Sequence, residues 1–202
     1  MCQMWGLIAG ALIGTVTSAL VAIWIEYLRR PFLQLSIETP AIEQARKQGA
    51  GAETGRYLRV KLFNKPLPGW VRWMVREPAA QCRAAISFRH LLDNQDVFGR
   101  TMAGRWANTP VGRPGDTSRI DVYPGDTEVL DVAARFDAQA ECYGWNNEAY
   151  FSGPPGYNPD WKLGHGRYVV EVVIRSSGQT CSSRFHLHND VPRSAFRLEP
   201  SS

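Results

Sequence analysis

The sequence is poor in the features that announce chemistry. It has no GxxxxGK[ST] phosphate loop, no HExxH zinc pair, no CxxC, no GxSxG elbow and no GxGxxG turn after a strand. No catalytic residue and no cofactor are therefore expected, and the chain does not read as an enzyme. Cysteine is scarce, at four in 202 residues. Cys82, Cys142 and Cys181 lie beyond the first thirty residues, and an odd number argues against the paired bridges of an exported domain. Cys82 and Cys181 are expected as small core residues. The charge excess is small and scattered, 23 Lys and Arg against 19 Asp and Glu, which excludes a charge-driven nucleic-acid binder. With 11% aromatic residues and only 21% charged ones, disorder is excluded too.

Charge is wholly absent from Met1 to Ile25. The apolar run from Trp5 to Ile25 meets the roughly 20 residues needed to cross a bilayer as a helix. Trp5 and Trp24 sit near its two ends and Tyr27 just beyond, as an aromatic belt places them. A cleaved signal peptide would need a basic start, a shorter run and a small-residue cleavage site. Here no Lys or Arg precedes the run, and bulky Ile25-Glu-Tyr-Leu-Arg-Arg30 follows it. Arg29 and Arg30 just after the span predict a single-pass protein of the cell (inner) membrane, with its N-terminus outside and its soluble domain in the cytoplasm. Gly6, Gly10, Gly14, Ser18 and Ala22 recur every four residues, a stripe of small side chains that lets membrane helices approach closely. The partners this implies are the lipid bilayer and another membrane or membrane-associated protein, or a second copy.

After Pro31 the pattern changes to period two, the mark of strands with one face in a core. Seven strands are predicted, centred on Leu33–Ile37, Leu58–Leu62, Cys82–Phe88, Ile120–Val122, Leu130–Phe136, Tyr168–Ile174 and Cys181–Leu187. Ala41 to Gln48 reads as a short surface helix or loop before Gly49, Gly51 and Gly55. Seven short antiparallel strands over some 160 residues predict an all-β two-sheet sandwich behind one transmembrane helix. The expected divisions are 1–30 for the helix and its flanks, 31–190 for the sandwich and 191–202 for a tail.

Leu163-Gly-His-Gly-Arg-Tyr168 resembles the L-x-x-G-x-Y tyrosine corner of immunoglobulin-like sandwiches, and the Pro124-Gly-Asp126 turn also recurs in such domains. The order of parts resembles that of bacterial single-span membrane proteins carrying an immunoglobulin-like domain. That likeness covers most of the chain and brings no catalytic residues with it.

The first strand starts within four residues of Arg30, so one end of the sandwich is expected close to the membrane. If strands alternate in direction, loops 65–81, 124–127 and 176–180 lie at that end, and loops 39–57, 90–118 and 137–166 at the other. The first loop carries Trp70, Arg72, Trp73 and Arg76, a mixture suited to a lipid headgroup interface unless one Trp caps the core. The far loops carry Arg105, Trp106, Trp145, Asn146, Asn147 and Tyr150, residue types that anchor protein interfaces. A structural or protein-interaction module is the reading these features support. The alternative is a metal-dependent enzyme or sensor built on His186 and His188, which share the outward face of the last predicted strand; zinc there would need ligands from elsewhere.

Overall fold

A computed structural model of the chain describes residues 2–48, 51–71, 73–108, 119–137, 139–151 and 158–201, with side chains described outside 2–10, 45–53, 150–151 and 193. Helix α1 (Cys2–Arg29) is followed by β1 (Leu33–Ile37), β2 (Ile42–Gln48), β3 (Gly51–Asn64), β4 (Ala79–His90), β5 (Met102–Ala103), β6 (Arg105–Trp106), β7 (Ile120–Val122), β8 (Thr127–Phe136), β9 (Cys142–Gly144), the short helix α2 (Asn147–Phe151), β10 (Lys162–Leu163), β11 (Gly166–Ser176), β12 (Gln179–Asn189) and β13 (Arg197–Pro200). All the pairings are antiparallel, in two sheets. The first has the order β1-β3-β8-β9-β10, with β2 on β3 and β6 on β8. The second has the order β13-β12-β11-β4-β5, with β7 on β4. The chain is thus an all-β sandwich behind one apolar helix.

The seven expected strands are all present, and their alternation has the expected cause. Along β11, Tyr168, Val170, Val172 and Ile174 are buried while their neighbours are not. They meet Leu58, Val60, Leu62, Leu130 and Val132 of the opposite sheet in one core. Several segments depart from the sequence reading. Ala41 to Gln48 contributes the strand β2, not a turn of helix, because the far half of β3 offers it a complete register from Ile42 opposite Tyr57 to Gln48 opposite Gly51. Pairing with a neighbour overrides a local helix preference. The stretch after Asp190 is not a tail: it adds β13 to the edge of β12 and buries Phe196 and Leu198.

The connection from β4 to β7 is also structured. It passes from one sheet to the other at Gly104, whose amide donates to the Ala84 carbonyl at 2.9 Å. A Cβ there would lie 2.5 Å from Ala84 Cβ and 2.8 Å from Leu130 Cδ1, so only glycine fits the crossing. Because β5 and β7 both run antiparallel to β4, the detour leaves the 124–127 turn at the end expected for it, but β6 carries the 90–118 connection back toward α1, with Arg105 opposite Asp131 and Trp106 opposite Leu130.

The tyrosine corner forms as expected, with the Tyr168 hydroxyl donating to the Gly164 carbonyl at 3.1 Å. The outer face of the first sheet is covered as well. Tyr57, Ala134, Phe136, Tyr143, Trp145 and Ala149 make a second, smaller core there. Every residue of β8 from Leu130 onward is buried.

Candidate functional site

The end of the sandwich next to α1 is organised by one side chain the sequence reading passed over. Asn64 is fully buried at the end of β3. Its Oδ1 accepts from the Phe32 amide at 3.1 Å, and its Nδ2 donates to the carbonyls of Val122 at 3.0 Å and Glu77 at 3.3 Å. Its backbone bonds to Gly125 and Asp126. One residue therefore ties together the entry to β1, the 65–77 loop and the end of β7 through its side chain, and the 124–126 turn through its backbone. The Ser177 amide donates to Ala80 at the same end. The three loops expected beside the helix do lie together.

The loop so fixed packs on the end of α1. The Glu77 amide donates to the Arg29 carbonyl at 2.7 Å, and the two side chains pair at 3.2 Å. Arg76 Nη1 donates to the Arg30 carbonyl at 2.6 Å. Trp70 stacks on Trp24, ring centroids 6.4 Å apart and planes 25° apart. Arg76 and Lys65 both lie over the Phe32 ring, at 5.7 and 6.0 Å from its centroid. Partial burial lowers the Arg76 pKa from its ordinary value.

Neither tryptophan caps the core. Val71 does that, while Trp70 and Trp73 are each 69% exposed. Trp24, Tyr27, Phe32 and Val75 are exposed around them. Arg72, expected in this group, lies outside the described residues. Beside the loop, a cleft of about 320 Å³ is lined by Leu67, Val71, Met74, Val75 and Pro124, with Arg76 its one charged wall.

Helix α1 is long and apolar enough to cross a membrane: Ala11–Arg29 has a mean hydropathy of 1.7 and nothing in the fold buries it. Gly6, Gly10, Gly14, Ser18 and Ala22 are all helical. Thr15, Thr17 and Ser18 turn their hydroxyls back onto carbonyls four residues earlier, at 2.8–2.9 Å, so these polar groups are satisfied within the helix.

The residues expected to form a recognition surface at the far end differ from that expectation, and Arg105 and Trp106 are not at that end but midway along β8, opposite Asp131 and Leu130. Arg105, Trp106, Trp145 and Asn146 are buried, Trp106 completely, and offer no surface to a partner. Arg105 pairs with Asp131, which also binds Arg59 at 2.6 Å. Burial pushes the Asp131 carboxyl up, and the two guanidiniums oppose that shift. Asn146 Oδ1 accepts from the Ala149 amide at 2.8 Å, starting α2. Asn147 is half-buried, and the Tyr150 side chain lies outside the described residues. What this end does expose is Leu92, almost wholly, beside a cleft of about 450 Å³ lined by His90, Leu91, Asp93, His165 and Arg167.

The histidine pair is also corrected. His186 and His188 do point away from the main core, but His188 is buried, flanked by Arg197 and Glu199 of the neighbouring strand β13. Its Nε2 lies 3.0 Å from Glu199 and its Nδ1 3.8 Å from Asp190. Hydrogen bonding from Arg197, with His188 a lesser cause, lowers the Glu199 pKa from its ordinary value. Among the described residues no group of three or more His, Cys, Asp or Glu is placed to hold a metal ion. Of the cysteines, Cys82 and Cys142 are free and buried and Cys181 is free and half-buried; burial pushes the Cys82 thiol up to about 11.

No protein-family model, no curated protein and no solved structure matches this chain.

Proposed function

We propose that the protein is a membrane-anchored, non-catalytic structural or interaction module, with α1 spanning the inner membrane and the sandwich held against the cytoplasmic leaflet. The carrying observation is the junction. An apolar helix ends in Trp24 and Tyr27, the 65–77 loop is bonded to that end through Arg76 and Glu77, and Trp70 and Trp73 extend the aromatic ring outward. In water such a ring is an uncompensated apolar patch; at a headgroup interface, rings beside arginines are at home. The N-terminus then lies outside, because Arg29 and Arg30 follow the span.

The stripe from Gly6 to Ala22 supports association with a second copy or another membrane helix. The exposed Leu91 and Leu92 at the opposite end support contact with a membrane-associated protein. The Tyr168–Gly164 bond supports an immunoglobulin-like sandwich, as in bacterial single-span proteins of that build.

Cysteine labelling tests the arrangement. A membrane-impermeant maleimide should modify Cys2 in intact cells and should reach Cys181 only after the membrane is opened and the protein denatured. Modification of Cys181 without opening the membrane, or recovery of the chain from membranes by alkaline carbonate, would overturn the proposal.

A further inference from the structure

The charge of this protein is not spread as evenly in space as along the sequence. Among the described residues of segments 26–32 and 65–77, four basic side chains (Arg29, Arg30, Lys65 and Arg76) stand against Glu26 and Glu77, a net +2 out of the chain's +4. The fold brings these two segments together at the end of α1. Glu77 neutralises Arg29 at 3.2 Å. Arg30 and Lys65 stay exposed, and Arg76 is half-buried between Phe32 and the Arg30 carbonyl. Arg76 also forms the one charged wall of the apolar cleft lined by Leu67, Val71, Met74 and Val75.

We propose that this junction selects anionic phospholipid. The headgroup phosphate sits against Arg76, Lys65 and Arg30, and the upper acyl chain enters the Leu67–Val75 cleft. The charge is of the sign that an anionic leaflet attracts. A guanidinium beside an apolar wall matches a phosphate ester joined to a hydrocarbon tail. The surface is also continuous with a helix apolar enough to lie in that lipid. The inference rests on α1 being a membrane span and adds which lipid gathers around it.

The test uses the full chain in phosphatidylcholine vesicles carrying a minor fraction of brominated lipid, either phosphatidylglycerol or phosphatidylcholine. The signal is the tryptophan quenching lost on Trp70→Phe with Trp73→Phe. Brominated phosphatidylglycerol should be enriched roughly fivefold for each basic side chain that engages it, and molar salt should erode the enrichment. Arg30→Gln, Lys65→Gln and Arg76→Gln together should bring the two lipids to parity. Since Arg76→Gln could also loosen the loop from α1, Lys65→Gln alone, at an exposed position, must lower the enrichment by itself. Equal quenching by the two lipids in the unaltered protein would overturn the anionic preference and leave the membrane contact standing. Enrichment that survives all three substitutions would overturn its assignment to this cleft. No quenching by either lipid would overturn the membrane contact as well.

Discussion

The two ends of the sandwich are closed by the same device and finished in opposite ways. At the end next to α1, buried Asn64 ties four segments together; at the far end, buried Asn189 donates to Gly164 at 2.8 Å and accepts from Arg135 at 3.2 Å. Around Asn64 the aromatic rings stand outside, on a loop that leans on a helix. Around Asn189 they lie inside, where Tyr57 packs edge to face on Phe136 and Trp145 in a cluster that also holds Tyr143 and Ala149 of α2. Similar residue types therefore serve different ends. The difference lies in whether a second layer of protein covers them.

Substitution should separate the ends most strongly at Trp145. It is 2% exposed and touches both Tyr57 and Phe136. Trp145→Ala should cost about 3–5 kcal/mol, the usual range for a large aromatic removed from a packed core. In a domain of this size that lowers the unfolding temperature by roughly 10 °C, read by near-ultraviolet dichroism of the full chain in mild detergent. A loss below about 1 kcal/mol would mean that this ring is surface after all and that the ends are alike.

Asn64→Ala comes next. It leaves the Phe32 amide and the carbonyls of Glu77 and Val122 without their partner in a buried place. About 2–3 kcal/mol should be lost, since a buried polar group deprived of its bond costs about 1–3 kcal/mol and the 65–77 loop can relax toward water. Limited proteolysis sharpens the result: cleavage should rise first within residues 65–77, while the far end stays protected. Uniform loosening would show that Asn64 supports the whole core and not one end.

How much of this was readable in advance follows from the same distinction. Strands with one face inside and one outside, such as β11, announce themselves by alternation, because solvent and core impose opposite demands on neighbouring residues. The loop of Trp70, Trp73 and Arg76 stood out for its mixture of apolar and cationic side chains, and the structure leaves both rings exposed where that loop packs on α1. Covering layers were not legible. The outward face of His188 was read correctly, but it is buried beside β13, which at four residues is too short to show a period. Arg105 and Trp106 looked like interface anchors because nothing local marks a strand of two residues that crosses between sheets at Gly104. Asn64 left no signal at all, since its partners lie 13, 32 and 58 residues away and only the closed sandwich assembles them.

The smallest expected effect is the one that bears most directly on the end next to α1. Trp70→Ser and Trp73→Ser remove large rings, yet each ring is 69% exposed and Val71 already seals the core beneath them. Surface substitutions of this kind change stability by under about 0.5 kcal/mol. The stack of Trp70 on Trp24 adds at most about 1 kcal/mol. The unfolding temperature in detergent should therefore move by no more than a few degrees for either substitution, against the far larger fall for Trp145→Ala. In bilayers each variant should lose only the share of the blue-shifted emission that its own ring contributes, read as the difference spectrum against the unaltered protein. A stability loss of 3 kcal/mol or more would show that these rings close the sandwich as Trp145 does, and the case for a lipid-facing end would go with it.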